Sequence, residues 1–394
     1  MKSERIWGIW VLSYEYCKLG EVIQITSGKV CPSQNKSGEG PFPIMGANGI
    51  IGYSTECLYD SPVILVGRVG SCGEVHRVNN PCWPSDNTLV VIPKENEDFD
   101  YIEYCLRYGD IYPWISGSTQ PLLTQTALKQ MEIPWPKKEI RRAIGFQGQA
   151  LERVIYSNRK TVDCIVEITS SLFRSWFIDF DPVKAKAEGK LPYGMDQETA
   201  ALFPDSFEDS ELGPIPAGWN VGRIGDIADI SSGTHQPERS EQKSSEYCTP
   251  LVGGAGIIAW TIESLFDEPI IVIGRVGTLG IVEKYTSPVW PSDNTLIFKT
   301  HQNSSFHFLL YQLRLQDFGA YNRGSTQPLL AQSDMRKLKL IIPNEDVLMA
   351  FEKKIRLMAL LSDLIEEQSE ILTKTRDTLL PRLISGELEV PIEA

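Results

Sequence analysis

The sequence has no apolar run approaching the ~18 residues that a membrane-spanning helix requires, so no membrane partner is expected. Its amino terminus places Lys2, Glu4 and Arg5 before a short Trp-rich stretch and lacks a signal-peptide core, which makes the cytoplasm the expected location. Histidine is scarce, with four in all, and no Ser, His and Asp recur at equivalent places to build a catalytic triad. An excess of positive charge is also missing: 38 Lys and Arg stand against 51 Asp and Glu, a net charge of −13. A nucleic-acid binder with this balance must gather its basic groups on one face. The eight cysteines, at 17, 31, 57, 72, 82, 105, 164 and 248, are scattered and crowd into the first half. That is not the regular framework of a secreted disulfide protein, and buried thiols are expected. What remains is ordinary for globular protein, 42% hydrophobic and 23% charged, and 394 residues suffice for two to three domains.

Three segments occur twice at one constant offset of 207 residues. Gly67-Arg-Val-Gly-Ser-Cys-Gly73 matches Gly274-Arg-Val-Gly-Thr-Leu-Gly280, Trp83-Pro-Ser-Asp-Asn-Thr-Leu89 matches Trp290 to Leu296, and Gly117-Ser-Thr-Gln-Pro-Leu-Leu123 matches Gly324 to Leu330. Upstream, Leu19-Gly-Glu-Val22 matches Ile224-Gly-Asp-Ile227 at offset 205, so the second copy is two residues longer between Pro32 and Pro43. One offset across so long a pairing is a duplication of domain plus helix, and two copies of this length are paired domains and not a solenoid.

Each copy reads as a mixed domain followed by a long helix. Runs such as Val63 to Gly67 and Thr88 to Pro93, with Pro269 to Gly274 and Thr295 to Lys299, are β-type and end at turn residues. Short helices are expected at Tyr101 to Tyr108 and Phe306 to Leu315, and at Thr124 to Gln130 and Gln332 to Lys337. Last strands follow at Met131 to Trp135 and Leu338 to Ile342. In the first long helix Ile144, Leu151, Ile165 and Leu172 form one apolar row, with Ile155, Val162 and Trp176 on the row four residues on. Phe351, Met358, Ile365, Leu372 and Leu379, flanked by Ile355 and Leu383, repeat that register. Heptad rows of this kind seek a partner helix, and the two are expected to pair with each other. The domain plan is therefore a first domain at 1–138, a long helix at 139–180, a linker at 181–218, a second domain at 219–344, a second long helix at 345–386 and a tail at 387–394. Five prolines and a charge of −5, three positive against eight negative, mark the linker as acidic and mostly irregular.

Several chemistries are weighed and set aside. Gly67 to Gly73 lacks both the G-K-[ST] ending of a P-loop and dinucleotide-fold spacing. Asn80-Pro-Cys-Trp83 and Ser287-Pro-Val-Trp290 miss the amino-methyltransferase motif at its third position, so a self-contained methyltransferase is not supported. Cys72, His76 and Cys82 have metal-like spacing, but their counterparts are Leu279, Glu283 and Val289, which excludes a metal shared by both copies. What the copies keep is short and polar. Arg68 and Arg275 sit in tight turns, where a guanidinium either clamps phosphate or reads guanine, or pairs with a local carboxylate. Ser85, Asp86 and Asn87 with Ser292, Asp293 and Asn294 offer donors and acceptors suited to DNA, although Asp86 and Asn87, standing before a strand, either face DNA or tie a turn. Ser118, Thr119 and Gln120 with Ser325, Thr326 and Gln327 read as a nucleic-acid-facing loop. Between the copies, Lys29 to Gly40 and Thr234 to Tyr247 are the least alike, and base choice is expected to diverge there.

The paired Gly-Ser-Thr-Gln-Pro-Leu segments and the Leu19-Gly-Glu21 and Ile224-Gly-Asp226 entries carry a family likeness. So do Trp176-Phe-Ile-Asp-Phe-Asp-Pro-Val183, Leu202-Phe-Pro-Asp-Ser-Phe207, Leu212-Gly-Pro-Ile-Pro-Ala-Gly-Trp219 and Leu380-Pro-Arg-Leu-Ile-Ser-Gly386. Together these resemble the DNA-specificity subunit of type I restriction-modification enzymes over nearly the whole chain. The resemblance implies an α+β fold, with two duplicated mixed α/β target-recognition domains separated by an antiparallel pair of long coiled-coil-like helices. It implies a bipartite double-stranded DNA target, one domain per half-site, and docking of two methyltransferase (modification) subunits through the helices, with restriction/translocase subunits completing the complex. It implies no catalysis, metal or cofactor in this chain: S-adenosylmethionine, ATP and Mg belong to the partner subunits. The rival expectation is a scaffold that keeps its partner helices and has lost DNA recognition.

Overall fold

A computed structural model describes residues 2–6, 9–117, 120–276, 279–324 and 329–390. The chain divides into two compact units, the first made of residues 1–160 and 366–394 and the second of residues 161–365. Each unit is built on the same four-stranded antiparallel sheet. In the first its order is Ile23–Ser27, Thr88–Pro93, Val63–Gly67 and Val75–Val78; in the second it is Ala228–Ser232, Thr295–Thr300, Ile270–Gly274 and Val282–Tyr285. Even the register repeats, with Leu89 opposite Val66 and Leu296 opposite Ile273.

The central strands are buried on both faces, which is why Val63 to Val66 and Ile270 to Ile273 are unbroken apolar runs. Alternate residues serve different partners. In the first unit Ile64, Val66, Leu89 and Val91 face a helical layer containing Tyr101, Ile102, Ile140 and Ile144. Val63, Leu65 and Val90 instead meet Met45 and Cys82, which belong to or adjoin a smaller sheet of Lys36–Ser37, Gly49–Ser54, Phe42–Gly46 and Trp83–Pro84. The second unit carries the matching small sheet, Arg239–Ser240, Gly256–Thr261, Thr249–Gly253 and Trp290–Pro291.

The two long helices run Lys138–Phe177 and Glu345–Ser385. Gly386, at φ +80°, takes the left-handed conformation that stops the second one. Each unit holds the start of one helix and the end of the other. In the first unit the helices run antiparallel, since Glu152 pairs with Arg376 while Asn158 donates to Gln368. Leu380, Leu383 and Ile384 are buried in the first unit's core beside Ile140 and Ile144. Phe173, Trp176 and Phe177, 207 positions earlier, are buried in the second unit's core beside Val347, Phe351 and Ile355. Phe351 meets the rings of Phe173, Trp176 and Phe177 at 5.9, 5.7 and 4.9 Å. Heptad spacing thus marked the apolar faces, but at the helix ends a domain core covers those faces, since periodicity shows which side seeks cover and not what supplies it.

The segment expected to be a mostly irregular linker is ordered. It forms helices Asp181–Ala187 and Gln197–Ala201 and a hairpin of Phe207–Ser210 with Gly213–Pro216. Two of its residues are helix-start signals: Pro182 lies in a first turn, and Asp196 caps a helix by accepting from the Thr199 N–H at 2.7 Å. Val183, Met195 and Phe203 enter the second unit's core, where Trp176 and Phe203 pack edge to face at 5.0 Å. No described helix is long and apolar enough to cross a membrane.

The start of the first long helix is locked by a buried ion pair. Arg141 Nε and Nη2 donate to the two carboxylate oxygens of Asp98 at 2.8 and 3.1 Å, Nη1 donates to the Pro136 carbonyl, and the guanidinium lies 4.0 Å from the Trp135 ring centroid. At the matching positions the second unit has Leu348 and Ser305, both buried. Removing one partner of such a pair strands the other charge, whereas apolar replacement of the pair is often nearly neutral. Arg141→Leu is therefore expected to cost ~3–5 kcal/mol in denaturant unfolding, and adding Asp98→Ser should recover most of it. A double variant as unstable as the single one would contradict this account.

Candidate nucleic-acid interface

The three repeated motifs converge on one arginine in each unit. The Arg68 backbone N–H donates to the Asn87 carbonyl at 2.9 Å, and its own carbonyl accepts from the Leu123 N–H at 2.9 Å. In the second unit Arg275 donates to Asn294 at 2.8 Å and accepts from Leu330 at 3.0 Å. Bridges between Val69 and Leu122, and between Val276 and Leu329, extend the junction. Segments separated by tens of residues are thus stitched at one point, and the arginine side chains leave it half-exposed.

Two residues that the motif reading passed over complete the junction. Gln125 donates to the Ser27 hydroxyl at 3.0 Å, and Gln332 to the Ser232 hydroxyl at 2.7 Å. Arg275 Nη1 also donates to Ser232 Oγ at 3.1 Å, and its Nε is buried without a partner among the described residues. The signal for this was in the repeat, since Ser27 and Ser232 precede matched glycines and Gln125 and Gln332 share the offset of 207.

The glycine after each of these serines is required by closeness. A Cβ on Gly28 would stand 2.1 Å from the Ser85 carbonyl oxygen, and on Gly233 it would stand 2.1 Å from that of Ser292. The turns they pack against are built alike: Thr88 Oγ1 donates to the Ser85 carbonyl and Thr295 Oγ1 to the Ser292 carbonyl, both at 2.7 Å. Ser85 and Ser292 are 5% and 1% exposed, so of the candidate donors and acceptors these two lie beneath the surface as turn residues. Asp86, Asn87, Asp293 and Asn294 are exposed, and so is Gln120. Ser118, Thr119, Ser325, Thr326 and Gln327 lie outside the described residues.

The cysteine and histidine residues with metal-like spacing go to separate tasks. The Cys72 thiol donates to the Arg68 carbonyl at 2.9 Å, and the His76 ring meets the Ala47 carbonyl at 3.2 Å. Burial among Val63, Leu65 and Val90 pushes the Cys82 thiol up to about 11, with a smaller contribution from Cys57. Among the described residues, no three His, Cys, Asp or Glu side chains form a metal-binding group.

The candidate helix-pair residues are all covered to some degree. Ile144, Ile155, Trp176, Phe351, Ile355 and Leu383 are buried, while Leu151, Val162, Ile165, Leu172, Met358, Ile365, Leu372 and Leu379 are half-buried. A different face of the second long helix is not covered. Leu357, Leu360, Leu361 and Leu364 are 69%, 54%, 50% and 55% exposed, at spacings that put them on one stripe. Beside it an open cleft of about 730 Å³ is lined in part by Met349, Lys353, Arg356 and Leu357. The first long helix has Ala150, Arg153, Val154 and Ser157 at the matching positions.

Residues 12–158 and 216–379 match the family described as Type I restriction modification DNA specificity domain. Among curated proteins the chain is 26% identical over 364 residues to the type I restriction enzyme MjaIX specificity subunit of Methanocaldococcus jannaschii, covering 84% of this chain and 79% of that one. It is 25% identical over 334 residues to the HindI specificity subunit of Haemophilus influenzae, covering 69% of this chain and 72% of that one. Among solved structures, the S subunit of a type I restriction-modification system from M. genitalium superposes with a TM-score of 0.70. At 16% identity, over 94% of this chain and 96% of that one, the likeness is one of fold.

The close approach at Gly28 gives a direct test with an internal control. Gly28→Ala should lower stability by ~1–3 kcal/mol through overpacking, whereas Gly38→Ala, whose Cβ would meet nothing within 4 Å, should change it by less than ~0.5 kcal/mol. Equal effects in parallel denaturation curves would show that the Gly28 turn is not tightly packed.

Proposed function

Since the chain belongs to the family of type I restriction-modification DNA specificity domains, we propose that it is the sequence-reading subunit of such an enzyme, each unit reading one half of a bipartite double-stranded DNA target. The observation that carries this reading is the three-motif junction, present twice with the same hydrogen bonds. A duplicated reader needs its presenting loops held alike, and here Arg68 and Arg275 stand beside the exposed Asp86, Asn87, Asp293 and Asn294. Guanidinium groups suit phosphate or guanine, and Asn suits adenine. So similar a scaffold supports half-sites that are related in sequence, making the target partly palindromic.

The chain's own chemistry is binding. Methyl transfer from S-adenosylmethionine, and ATP- and Mg-dependent translocation and cleavage, fall to modification and restriction subunits. The two modification subunits dock on the long helices, and the exposed leucine stripe at Leu357, Leu360, Leu361 and Leu364 supports that docking, because apolar area left in water favours association by ~25 cal/mol per Å² when covered. The net charge of −13 fits a subunit that grips DNA together with partners that add positive surface, since phosphate contacts dominate affinity.

Two measurements check this. Mapping methylated positions in DNA exposed to the assembled modification complex should return a target of two related parts separated by a fixed, unspecified spacer. A continuous target, or two unrelated parts, would contradict the one-unit-per-half-site reading or the partial palindrome respectively. For docking, replacing Leu360 and Leu364 together by Glu should weaken association with the modification subunits by roughly 30-fold or more while leaving the chain's unfolding curve unchanged. Undiminished co-purification would remove the stripe from the interface.

A further inference from the structure

In the first unit the repeated Trp83 to Leu89 motif and the divergent Lys29 to Gly40 stretch share the walls of one cavity of about 330 Å³. Ser85 and Asp86 come from the motif; Val30, Lys36 and Ser37 come from the divergent stretch. Pairing fixes both sides. Trp83–Pro84 runs parallel to Phe42–Gly46, and Lys36 and Ser37 lie opposite Ser54 and Tyr53. The Trp83 ring N–H donates to the Lys29 carbonyl at 2.9 Å, tying the divergent stretch to the motif.

The cavity's chemistry is a cation and an anion held apart. Lys36 and Asp86 are exposed, and among the described residues neither side chain has an ion-pair or hydrogen-bond partner. Beneath them the Ser85 hydroxyl is buried and likewise unpartnered. A space of this size admits a base edge and excludes a helix. In the major groove a G·C pair offers two adjacent acceptors, guanine N7 and O6, followed by the cytosine N4 donor. An A·T pair interposes the adenine N6 donor between its acceptors, so an ammonium that reaches N7 also faces an amino group.

Resting on the DNA-reading function above, we propose that this cavity selects a G·C pair in the first half-site, Lys36 donating to guanine and Asp86 accepting from cytosine N4. The second unit keeps the acceptor and changes the cation. Asp293 matches Asp86, but the strand position corresponding to Lys36 holds Arg239, which donates to Gln236, and Lys243 lies 4.7 Å from the ring centroid of Trp260, the counterpart of Tyr53. The divergent stretch thus varies the donor side of a contact whose acceptor side is shared.

The test uses the assembled modification complex on DNA pools randomised across the target, comparing the wild type with Lys36→Ala and with Asp86→Asn. Both positions are exposed, so an unchanged unfolding curve accompanies each variant. Each should lose roughly 5- to 150-fold discrimination at one and the same G·C position of one half-site, with every other position unchanged. Three results overturn the proposal: discrimination retained by both variants, a selected pair that is A·T, or a uniform loss at all positions, which is the behaviour of a phosphate contact. A wild-type complex with no sequence preference would instead overturn the DNA-reading function itself, and is distinguished by the wild-type control alone.

Discussion

The constraint on which the molecule depends is that neither domain core is complete within its own copy of the repeat. The first unit needs Leu380, Leu383 and Ile384 from the end of the second long helix, and the second needs Phe173, Trp176 and Phe177 from the end of the first. Burying side chains of this size contributes ~1.5–3 kcal/mol each, and emptying such sites costs more still because of the cavity left behind. A helix end buried in a packed core is pinned in register against that core. Side chains facing a core settle in discrete fits, so small sliding motions are resisted.

The same dependence explains how the two units differ. The end of the first long helix is aromatic, and the segment after it folds back through Val183, Met195, Phe203 and Trp219 to cover it. The corresponding end of the second helix is aliphatic, at Leu380, Leu383 and Ile384, with Val390 following. The helix starts diverge in the other sense. The first unit uses the Arg141 and Asp98 ion pair where the second uses Leu348 and Ser305. Duplicated scaffolds thus keep backbone geometry while exchanging the chemistry that fills it, as the matched register of Leu89 with Val66 and Leu296 with Ile273 illustrates.

Much of this was legible in the sequence because the repeat supplied its own control. Strands Val63–Gly67 and Thr88–Pro93 and helix Phe306–Arg314 fall where the apolar runs and turn residues put them. The order of residues 181–218 was not legible, because proline and acidic residues serve helix starts as well as flexible linkers, and only the buried Val183 and Phe203 distinguish the two. Motif spelling equally could not separate Ser85, whose hydroxyl is buried, from its neighbour Asp86, which is exposed. Adjacent residues of a turn point to opposite sides, and sequence carries no sign of which side is wet. The Ser27 and Gln125 pairing was present in the repeat but is a contact across 98 residues, and only folding brings it together.

Function follows from that division of labour. A doubled junction around Arg68 and Arg275 holds the matched loops alike, and under the proposed function those loops would meet DNA and the long helices would set the distance between the two readings. The most direct measurement of this last claim is the spacer between half-sites after one heptad is inserted into each long helix, at facing positions. Seven residues lengthen a helix by ~10 Å at 1.5 Å each, about three base pairs at ~3.4 Å. The account predicts a target with the same two half-sites and a spacer longer by about three base pairs. A variant that still assembles and methylates but keeps the original spacer would contradict it.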